Sequence, residues 1–186
     1  MEHSRLEALF PAFTEISDKE LKARAEETMA AAMRKGGWDE CTIHACPVTL
    51  NWKNCGVTWV EHVTDVTAMC IYGFDAMKKY YDRHGAVFRR DLVVAGALLH
   101  DIGKLTEFAY RDGKAVHSGN FQLLRHPLSG AVIAAGAGCP DELVHLIAVH
   151  SFEGDRSYQT AESEFVRSMD ILVFNCSVKG LEKINA

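Results

Sequence analysis

Hydrophobic positions recur at three- and four-residue steps over most of the chain, which is the period of an amphipathic helix. A first helix is predicted to begin at Ser17-Asp18-Lys19-Glu20, a sequence typical of a capping box, and to end at Gly36-Gly37. A second capping box, from Thr58 to Glu61, predicts a long helix that ends near Gly85. The pattern therefore favours helices over strands.

The next predicted helix is apolar on nearly every side. It runs from Leu92 to His100 after the expected cap Asp91, and it stops at Asp101-Ile102-Gly103 with glycine at the helix exit. A helix of this kind packs at the centre of a core because no face of it suits water. A His-Asp pair is thus expected at the inner end of a buried helix.

The second half of the chain predicts one β excursion and three further helices. Asp112-Gly113, between apolar positions, predicts a small hairpin or an extended excursion. Pro127 opens a helix to about Gly138, Pro140 opens another that reaches His150, and a last helix covers about Glu162 to Leu181. The predicted fold class is all-α with one short β-hairpin-like excursion.

Residues 38–57 show no clear period, although they hold two tryptophans and three cysteines. We interpret them as an irregular connection packed by its aromatic side chains, with a substrate lid as the alternative. The predicted organisation is an N-terminal helix and irregular segment, residues 1–57, packed on a single globular unit, residues 58–186.

Composition narrows the class of protein. The 186 residues carry 20 basic and 25 acidic side chains, a net charge of −5, so long nucleic acid is an unlikely partner. The longest apolar run, Leu92 to Leu99, falls short of the roughly 18 residues that span a bilayer, and acidic residues Glu2 and Glu7 replace a basic signal region. We expect a soluble cytoplasmic protein with no membrane association and with reduced thiols at its six cysteines.

Candidate chemistry comes from the histidines, of which there are nine. Four of them lie near predicted helix ends, and two carboxylates lie in buried-looking sequence. A buried cluster of such groups costs several kcal/mol unless a charge compensates it, and a divalent metal does so. A single histidine of this kind is more typical of a helix cap or a core residue, so the ordered set carries the prediction. The set is His62, His100, Asp101, His126, His150 and Asp170.

The string from Leu98 to Lys104, in the setting of these residues, resembles the HD-domain superfamily of metal-dependent phosphohydrolases. The resemblance covers about residues 58–181 and implies an HD-domain helical bundle. The run from His100 to Phe108 is similar to the HD half of certain bacterial 3′-to-5′ exoribonucleases and of stand-alone HD proteins. Residues 1–57 carry no resemblance.

The resemblance implies a dinuclear site. His62, His100, Asp101 and Asp170 would hold one metal, and His126 and His150 would hold the second, with Asp101 bridging. One departure is that many dinuclear members have two adjacent histidines where this chain has His150-Ser151. The second metal would then keep a position open for water or substrate.

The implied chemistry is hydrolysis of a phosphoester in a nucleotide or a small phosphate ester. Two divalent ions roughly 3.5–4 Å apart generate a bridging hydroxide and stabilise charge on the phosphoryl oxygens. Asp101 and Lys104 are the predicted catalytic residues, Lys104 as a phosphate contact or else as a solvated lysine at a helix end, and Arg125 is a weaker candidate. Imidazole and carboxylate ligands favour iron or manganese, with zinc or nickel as alternatives.

Two other functions stay open. The same ligand order occurs in mixed-valent diiron oxygenases that resemble inositol oxygenase or cleave phosphonates, and a metal-binding module without turnover would also use it. Elsewhere, a zinc site from Cys41, His44, Cys46 and Cys55 is disfavoured because the spacing lacks a two-residue knuckle. His117 and Gln122, in the excursion between the predicted metal motifs, are expected at the surface, with a place at the border of the pocket as the alternative. Oligomeric state is not predicted.

Overall fold

The computed structural model describes residues 3–52, 55–119 and 121–185. It confirms the all-α class with one β-hairpin. Helices and strands follow in this order: α1 His3–Leu9, a 3₁₀ turn Pro11–Glu15, α2 Lys19–Gly36, a 3₁₀ turn Ile43–Ala45, α3 Trp59–Arg83, α4 Arg90–Leu99, α5 Lys104–Glu107, β1 Phe108–Arg111, β2 Lys114–His117, α6 His126–Gly136, α7 Asp141–Val149, a 3₁₀ turn Phe152–Gly154, α8 Ala161–Val173, a π-helical turn Phe174–Val178, and α9 Lys179–Asn185.

The start of α2 differs from the predicted capping box. The cap is Asp18, whose Oδ1 accepts hydrogen bonds from the backbone N–H groups of Glu20 and Leu21 at 2.9 and 3.1 Å. Ser17 is not the cap, because the Asp18 carboxylate satisfies two free N–H groups and also complements the helix dipole. The predicted end is confirmed, since Gly37 caps the helix with φ 74°.

The capping box at the start of α3 is confirmed. Glu61 donates its backbone N–H to Thr58 Oγ1 at 3.2 Å, and the Glu61 carboxylate accepts from the Thr58 N–H at 2.8 Å. This reciprocal pair fixes the first turn of a 25-residue helix. His62 lies in that turn and faces the core.

Helix α4 is central, as predicted. Its residues from Leu92 to Leu99 are all buried, and it packs against α2, α3, α7 and α8. Asp91 is not its cap: the helix begins at Arg90, and Asp91 Oδ2 instead accepts the Asp18 N–H at 2.7 Å, which ties α4 to the start of α2. No helix in the described ranges has the length and apolar character needed to cross a membrane.

Gly103 follows α4, but it does not act as the left-handed exit residue that the sequence suggested. Its φ is −66°, a conformation open to any residue. The reason for glycine is space, because a Cβ here would lie 2.1 Å from the carbonyl oxygen of His126. This close approach seats the start of α6 against the His-Asp turn.

The N-terminal residues pack on the same core. Phe10 meets the Trp59 ring edge-on at 5.8 Å between centroids, and Trp38 donates its indole N–H to the Leu105 carbonyl at 2.8 Å. An isolated antiparallel bridge between Pro47 and Thr58 returns the irregular segment to α3. One hydrophobic cluster therefore includes side chains from both sides of residue 57. The division into 1–57 and 58–186 stays a prediction.

Two later elements shape the site. The hairpin is present, with β1 antiparallel to β2 and with Asp112 and Gly113 at φ 51° and 78°, the signature of a two-residue primed turn. The single last helix predicted from Glu162 to Leu181 is wrong in detail, because a π-helical turn separates α8 from α9. Such turns redirect the side chains that follow and are frequent at functional sites.

Candidate metal centre

All six predicted ligands come together in the interior. They are contributed by the ends or inner turns of five helices, so their positions depend on helix packing rather than on loops. Five of the six residues are buried, and the sixth, Asp170, is half-buried with 17% of its side chain exposed. The ligands are His62 in the first turn of α3, His100 and Asp101 directly after α4, His126 at the start of α6, His150 directly after α7, and Asp170 in α8.

Three of these side chains form a first ligand set. His62 Nε2 lies 3.0 Å from Asp170 Oδ1 and 3.4 Å from His100 Nε2. His100 Nε2 is in turn 3.7 Å from Asp170 Oδ1. Two imidazole nitrogens and one carboxylate oxygen thus surround a single point, which is a donor set that a divalent transition metal accepts.

A second set lies beside the first. His126 Nε2 is 3.3 Å and His150 Nε2 is 3.5 Å from Asp101 Oδ1. His150 Nε2 is buried and has no hydrogen-bond partner in the described part of the chain. A buried polar nitrogen without a partner is costly, and a cation at this point would remove the cost.

Asp101 lies between the two sets and faces each with a different oxygen. Its Oδ2 lies 3.4 Å from His62 Nε2 and 3.6 Å from His100 Nε2, whereas its Oδ1 faces the second set. Trp59 donates its indole N–H to the Asp101 carbonyl at 3.0 Å, so the backbone of the turn is held from α3. The carboxylate is therefore placed to bridge two ions.

Two of the imidazole rings are oriented by their own helices. His100 and His150 each donate Nδ1–H to the carbonyl three residues earlier, Ala97 and Ile147, at 2.7 Å. This bond leaves Nε2 to carry the lone pair of a neutral ring. Burial lowers the pKa of His100 to about 4, so the ring is neutral near pH 7, as a metal ligand must be.

The HD domain family matches residues 61–174, more than half of the sequence. The chain belongs to the HD-domain family. The dihydroneopterin 2′,3′-cyclic phosphate phosphodiesterase of Methanocaldococcus jannaschii is 29% identical over 159 residues, which cover 82% of this chain and 61% of that protein. The chain thus spans about three-fifths of that relative's length. No solved structure matches.

Within this HD domain, one carboxylate that sequence analysis missed contacts a predicted ligand. Glu107 Oε1 accepts the backbone N–H of His126 at 2.6 Å, and Glu107 Oε2 lies 3.5 Å from His126 Nδ1. Burial raises the pKa of Glu107, but its contacts with His126 outweigh burial and hold the pKa below its ordinary value. The partner of Glu107 is nineteen residues away, so no local pattern could have indicated it.

Lys104 is buried rather than solvated. Its Nζ lies 2.5 Å from Asp101 Oδ2, and the residue is 8% exposed. Burial raises the pKa of Asp101, but the Lys104 ammonium and the surrounding imidazoles outweigh burial and hold it well below its ordinary value. The lysine therefore lies at the candidate metal centre, where a phosphate contact would have to be.

The centre opens onto a cavity of about 470 Å³. One wall is formed by residues 48–51 of the irregular segment, and the lining also includes residues of the hairpin and of the π-helical turn. His117, expected at the surface, lines this cavity and stacks on Phe121 at 3.9 Å between ring centroids. The surface expectation for His117 is confirmed, because the residue is exposed at the end of β2, and it borders the cavity as well.

Two arginines approach the cavity from different elements. Arg125 keeps its Nε 3.1 Å from Glu153 Oε1 and stacks its guanidinium over the Phe152 ring at 5.1 Å. Arg167 was missed, although it lies three residues before Asp170 on α8 and so shares a helix face with it. It pairs with Asp155 and is 18% exposed. A cation one turn from a predicted metal ligand was the signal that could have found it.

The discounted zinc site has no support in the described residues. Cys46 and Cys55 are buried while Cys41 is exposed, and none of these thiols belongs to a group with metal-ligand geometry. The six cysteines are free. The two sets that share the neighbourhood of Asp101 remain the candidate metal sites of the described chain.

Proposed function

We propose that this HD domain is a metal-dependent phosphoester hydrolase with a two-ion centre. The observation that carries the proposal is the position of Asp101, whose two oxygens face two separate ligand sets within one buried cluster. A structural zinc site needs a single closed set of ligands, whereas two adjoining sets beside a cavity are typical of a hydrolytic centre.

The residues divide as follows. His62, His100 and Asp170 would hold one ion, His126 and His150 the other, and Asp101 both. When bound, two divalent ions supply an activated water and neutralise charge on the phosphoryl oxygens. Asp101 holds the two ligand sets in register, and the ring orientations of His100 and His150 direct Nε2 towards the centre. Iron or manganese remains the proposed metal, with zinc or nickel as alternatives.

Cavity charge supports an anionic substrate. The described lining carries four cationic and four carboxylate side chains, which balance formally: Lys104, Arg125, Arg167 and Lys179 against Asp101, Glu107, Asp155 and Asp170. Two divalent ions would leave the cavity positive inside a chain whose net charge is −5. Lys104 is the proposed contact for the reacting phosphate, because its ammonium lies at the bridging carboxylate.

The cavity size and lining favour a small ester. About 470 Å³ falls in the range of small-molecule pockets, and the stacked rings of His117 and Phe121 offer a flat surface to a heterocycle. The relative from Methanocaldococcus jannaschii is named for a cyclic phosphodiester of a heterocyclic alcohol. We therefore propose cyclic phosphodiesters with a planar ring as the first substrate class to test, ahead of nucleic acid.

The test is turnover of bis(4-nitrophenyl) phosphate and of nucleoside 2′,3′-cyclic phosphates by protein reconstituted with Mn²⁺ or Fe²⁺, under argon and in air. Hydrolysis that is equal under both gases is expected, and Asp101→Asn and His100→Ala should each lower it at least about 100-fold because a ligand is lost. His84→Ala, which changes an exposed histidine outside the centre, is the control and should keep full turnover.

Three outcomes would contradict the proposal. Retained phosphodiester turnover in Asp101→Asn would mean that the bridging carboxylate is not part of the reaction. Consumption of O₂ without release of any phosphoester product would favour the oxygenase alternative. Binding of metal with neither reaction would favour a module without turnover.

A further inference from the structure

Glu107 is a buried carboxylate outside both ligand sets. It is the last residue of α5 and is 3% exposed. Its two oxygens are directed at one residue, His126: Oε1 accepts the backbone N–H at 2.6 Å, and Oε2 lies 3.5 Å from ring atom Nδ1. Burial of a carboxylate lowers the stability of the fold unless other interactions compensate for the lost hydration, so the contacts of Glu107 require an explanation.

The need for such a carboxylate follows from where His126 lies in its helix. His100 and His150 follow the last turns of α4 and α7, and each finds a carbonyl three residues earlier for its Nδ1–H. His126 is the first residue of α6, so no preceding turn of its own helix offers an acceptor. Glu107, on another element, places Oε2 3.5 Å from His126 Nδ1, which is the ring atom that the other two histidines bond to their own backbone; the approach falls short of a hydrogen bond in this structure.

We infer that Glu107 is a positioning residue that orients the His126 ring, with Nε2 towards Asp101, and so controls occupancy of the second ligand set. The inference rests on the two-ion centre of the proposed function. A carboxylate behind a ligating imidazole fixes its tautomer and raises its basicity, and loss of such a partner lowers metal affinity about 10–100-fold.

A purely structural role makes a different prediction. Glu107 also satisfies an N–H group at the start of α6, and it lies 4.0 Å from Arg125 Nη1. If these contacts were its only purpose, removing them would lower the stability of the fold and leave the affinity of the second set unchanged. Metal binding at equilibrium therefore separates the two roles, independently of any catalytic assay.

The experiment is a calorimetric titration of metal-depleted protein with Mn²⁺, with bound manganese per chain counted by elemental analysis and with thermal unfolding of the depleted protein. Wild type should bind two ions. Glu107→Ala should bind the first as wild type does and the second at least about 10-fold more weakly. Glu107→Gln keeps a neutral acceptor of the same length, so its second affinity should fall between those of Glu107→Ala and wild type.

Glu153→Ala is the matched control. Glu153 accepts a hydrogen bond from Arg125 Nε at 3.1 Å, so this variant also removes a carboxylate partner of Arg125 but leaves the contacts of His126 in place. It should bind two ions with wild-type affinity. An equal loss of second-ion affinity in Glu153→Ala would overturn the inference, because release of Arg125 would then explain the effect.

Further outcomes separate a failure of the inference about Glu107 from a failure of the two-ion centre on which it rests. Two ions bound with wild-type affinity by Glu107→Ala overturn the inference alone. If Glu107→Ala does not fold, the Glu107→Gln variant is used instead. An affinity of Glu107→Gln for the second ion equal to that of wild type would then contradict the inference. A wild-type chain that binds fewer than two ions contradicts the two-ion centre of the proposed function, and the inference falls with it.

Discussion

A methyl group at position 103 would collide with the start of α6. A Cβ built on Gly103 lies 2.1 Å from the His126 carbonyl oxygen, 2.5 Å from Ser129 Oγ and 2.8 Å from the Gly130 backbone nitrogen. Ordinary contacts begin at 3.4 Å, so the two backbones would have to separate by about 1 Å. The Gly103→Ala substitution therefore moves His126 relative to Asp101, although it removes neither side chain.

The size of the effect follows from this displacement. Overpacking of a close contact costs about 1–3 kcal/mol, which lowers the Tm of a domain of this size by about 2–12 °C. A misplacement of about 1 Å in a reacting constellation lowers turnover about 100-fold. We expect Gly103→Ala to show both losses, measured by thermal unfolding and by hydrolysis of bis(4-nitrophenyl) phosphate with saturating Mn²⁺.

Gly136→Ala is the control for this prediction. Gly136 is an exposed residue at the other end of α6, and a Cβ there would meet nothing within 4 Å. Its replacement by alanine should leave turnover unchanged and leave stability unchanged or raised by up to about 1 kcal/mol. A Gly103→Ala protein with wild-type Tm and wild-type turnover would refute the argument that space, rather than backbone conformation, requires glycine at this position.

Two further predictions concern α8. Arg167→Ala should raise KM for a phosphodiester about 10-fold with a smaller change in kcat, because a cavity cation is lost while the ligand sets remain. Arg156 lies on an exposed loop, so the control variant Arg156→Ala should change neither constant. Glu162→Ala should lower the free energy of unfolding by about 1–3 kcal/mol, because Glu162 Oε1 accepts both the backbone N–H and the Nε–H of Arg89 at 3.1 Å. Burial raises the pKa of Glu162, but the bonds from Arg89 outweigh burial and hold it below its ordinary value. The stabilisation by Glu162 is therefore present above the ordinary pKa of a glutamate and is lost as the pH falls through the pKa of Glu162 in the folded protein. The free energies of unfolding of wild type and Glu162→Ala, measured by urea titration, should thus differ at pH 7 and converge in acid. A constant difference down to acid pH would contradict this.

Five of the six candidate ligands could be predicted because each lies at or beside a helix end, a place that sequence marks well; Asp170 lies within α8. Capping residues and breaks in periodicity locate helix ends, and an apolar helix such as α4 must end inside the core. His100-Asp101 thus had a predictable position before its partners were known. The order of the remaining ligands along the chain supplied the rest.

Residues whose partners lie on other elements were harder to predict from the sequence. Asp91 is a residue type that often caps helices, yet its carboxylate accepts the backbone N–H of Asp18. The Glu107 carboxylate accepts the backbone N–H of His126. Neither partner is a near neighbour in sequence, so tertiary packing alone decides them. The segment 38–57 lacked a period for a related reason: its described residues pack irregularly against other elements, and residues 48–51 form a cavity wall.

The same turn that carries Asp101 is held from three directions, and this links the fold to the proposed chemistry. Trp59 donates to the Asp101 carbonyl, Trp38 donates to the Leu105 carbonyl, and Gly103 allows α6 to contact the turn directly. A bridging carboxylate must keep both oxygens aimed at once, which a mobile loop would not achieve. The two tryptophans belong to the N-terminal half of the chain, and both of them precede the residues that match the HD family. The N-terminal segment is therefore part of what holds the candidate centre in place, and not only a cover for the core.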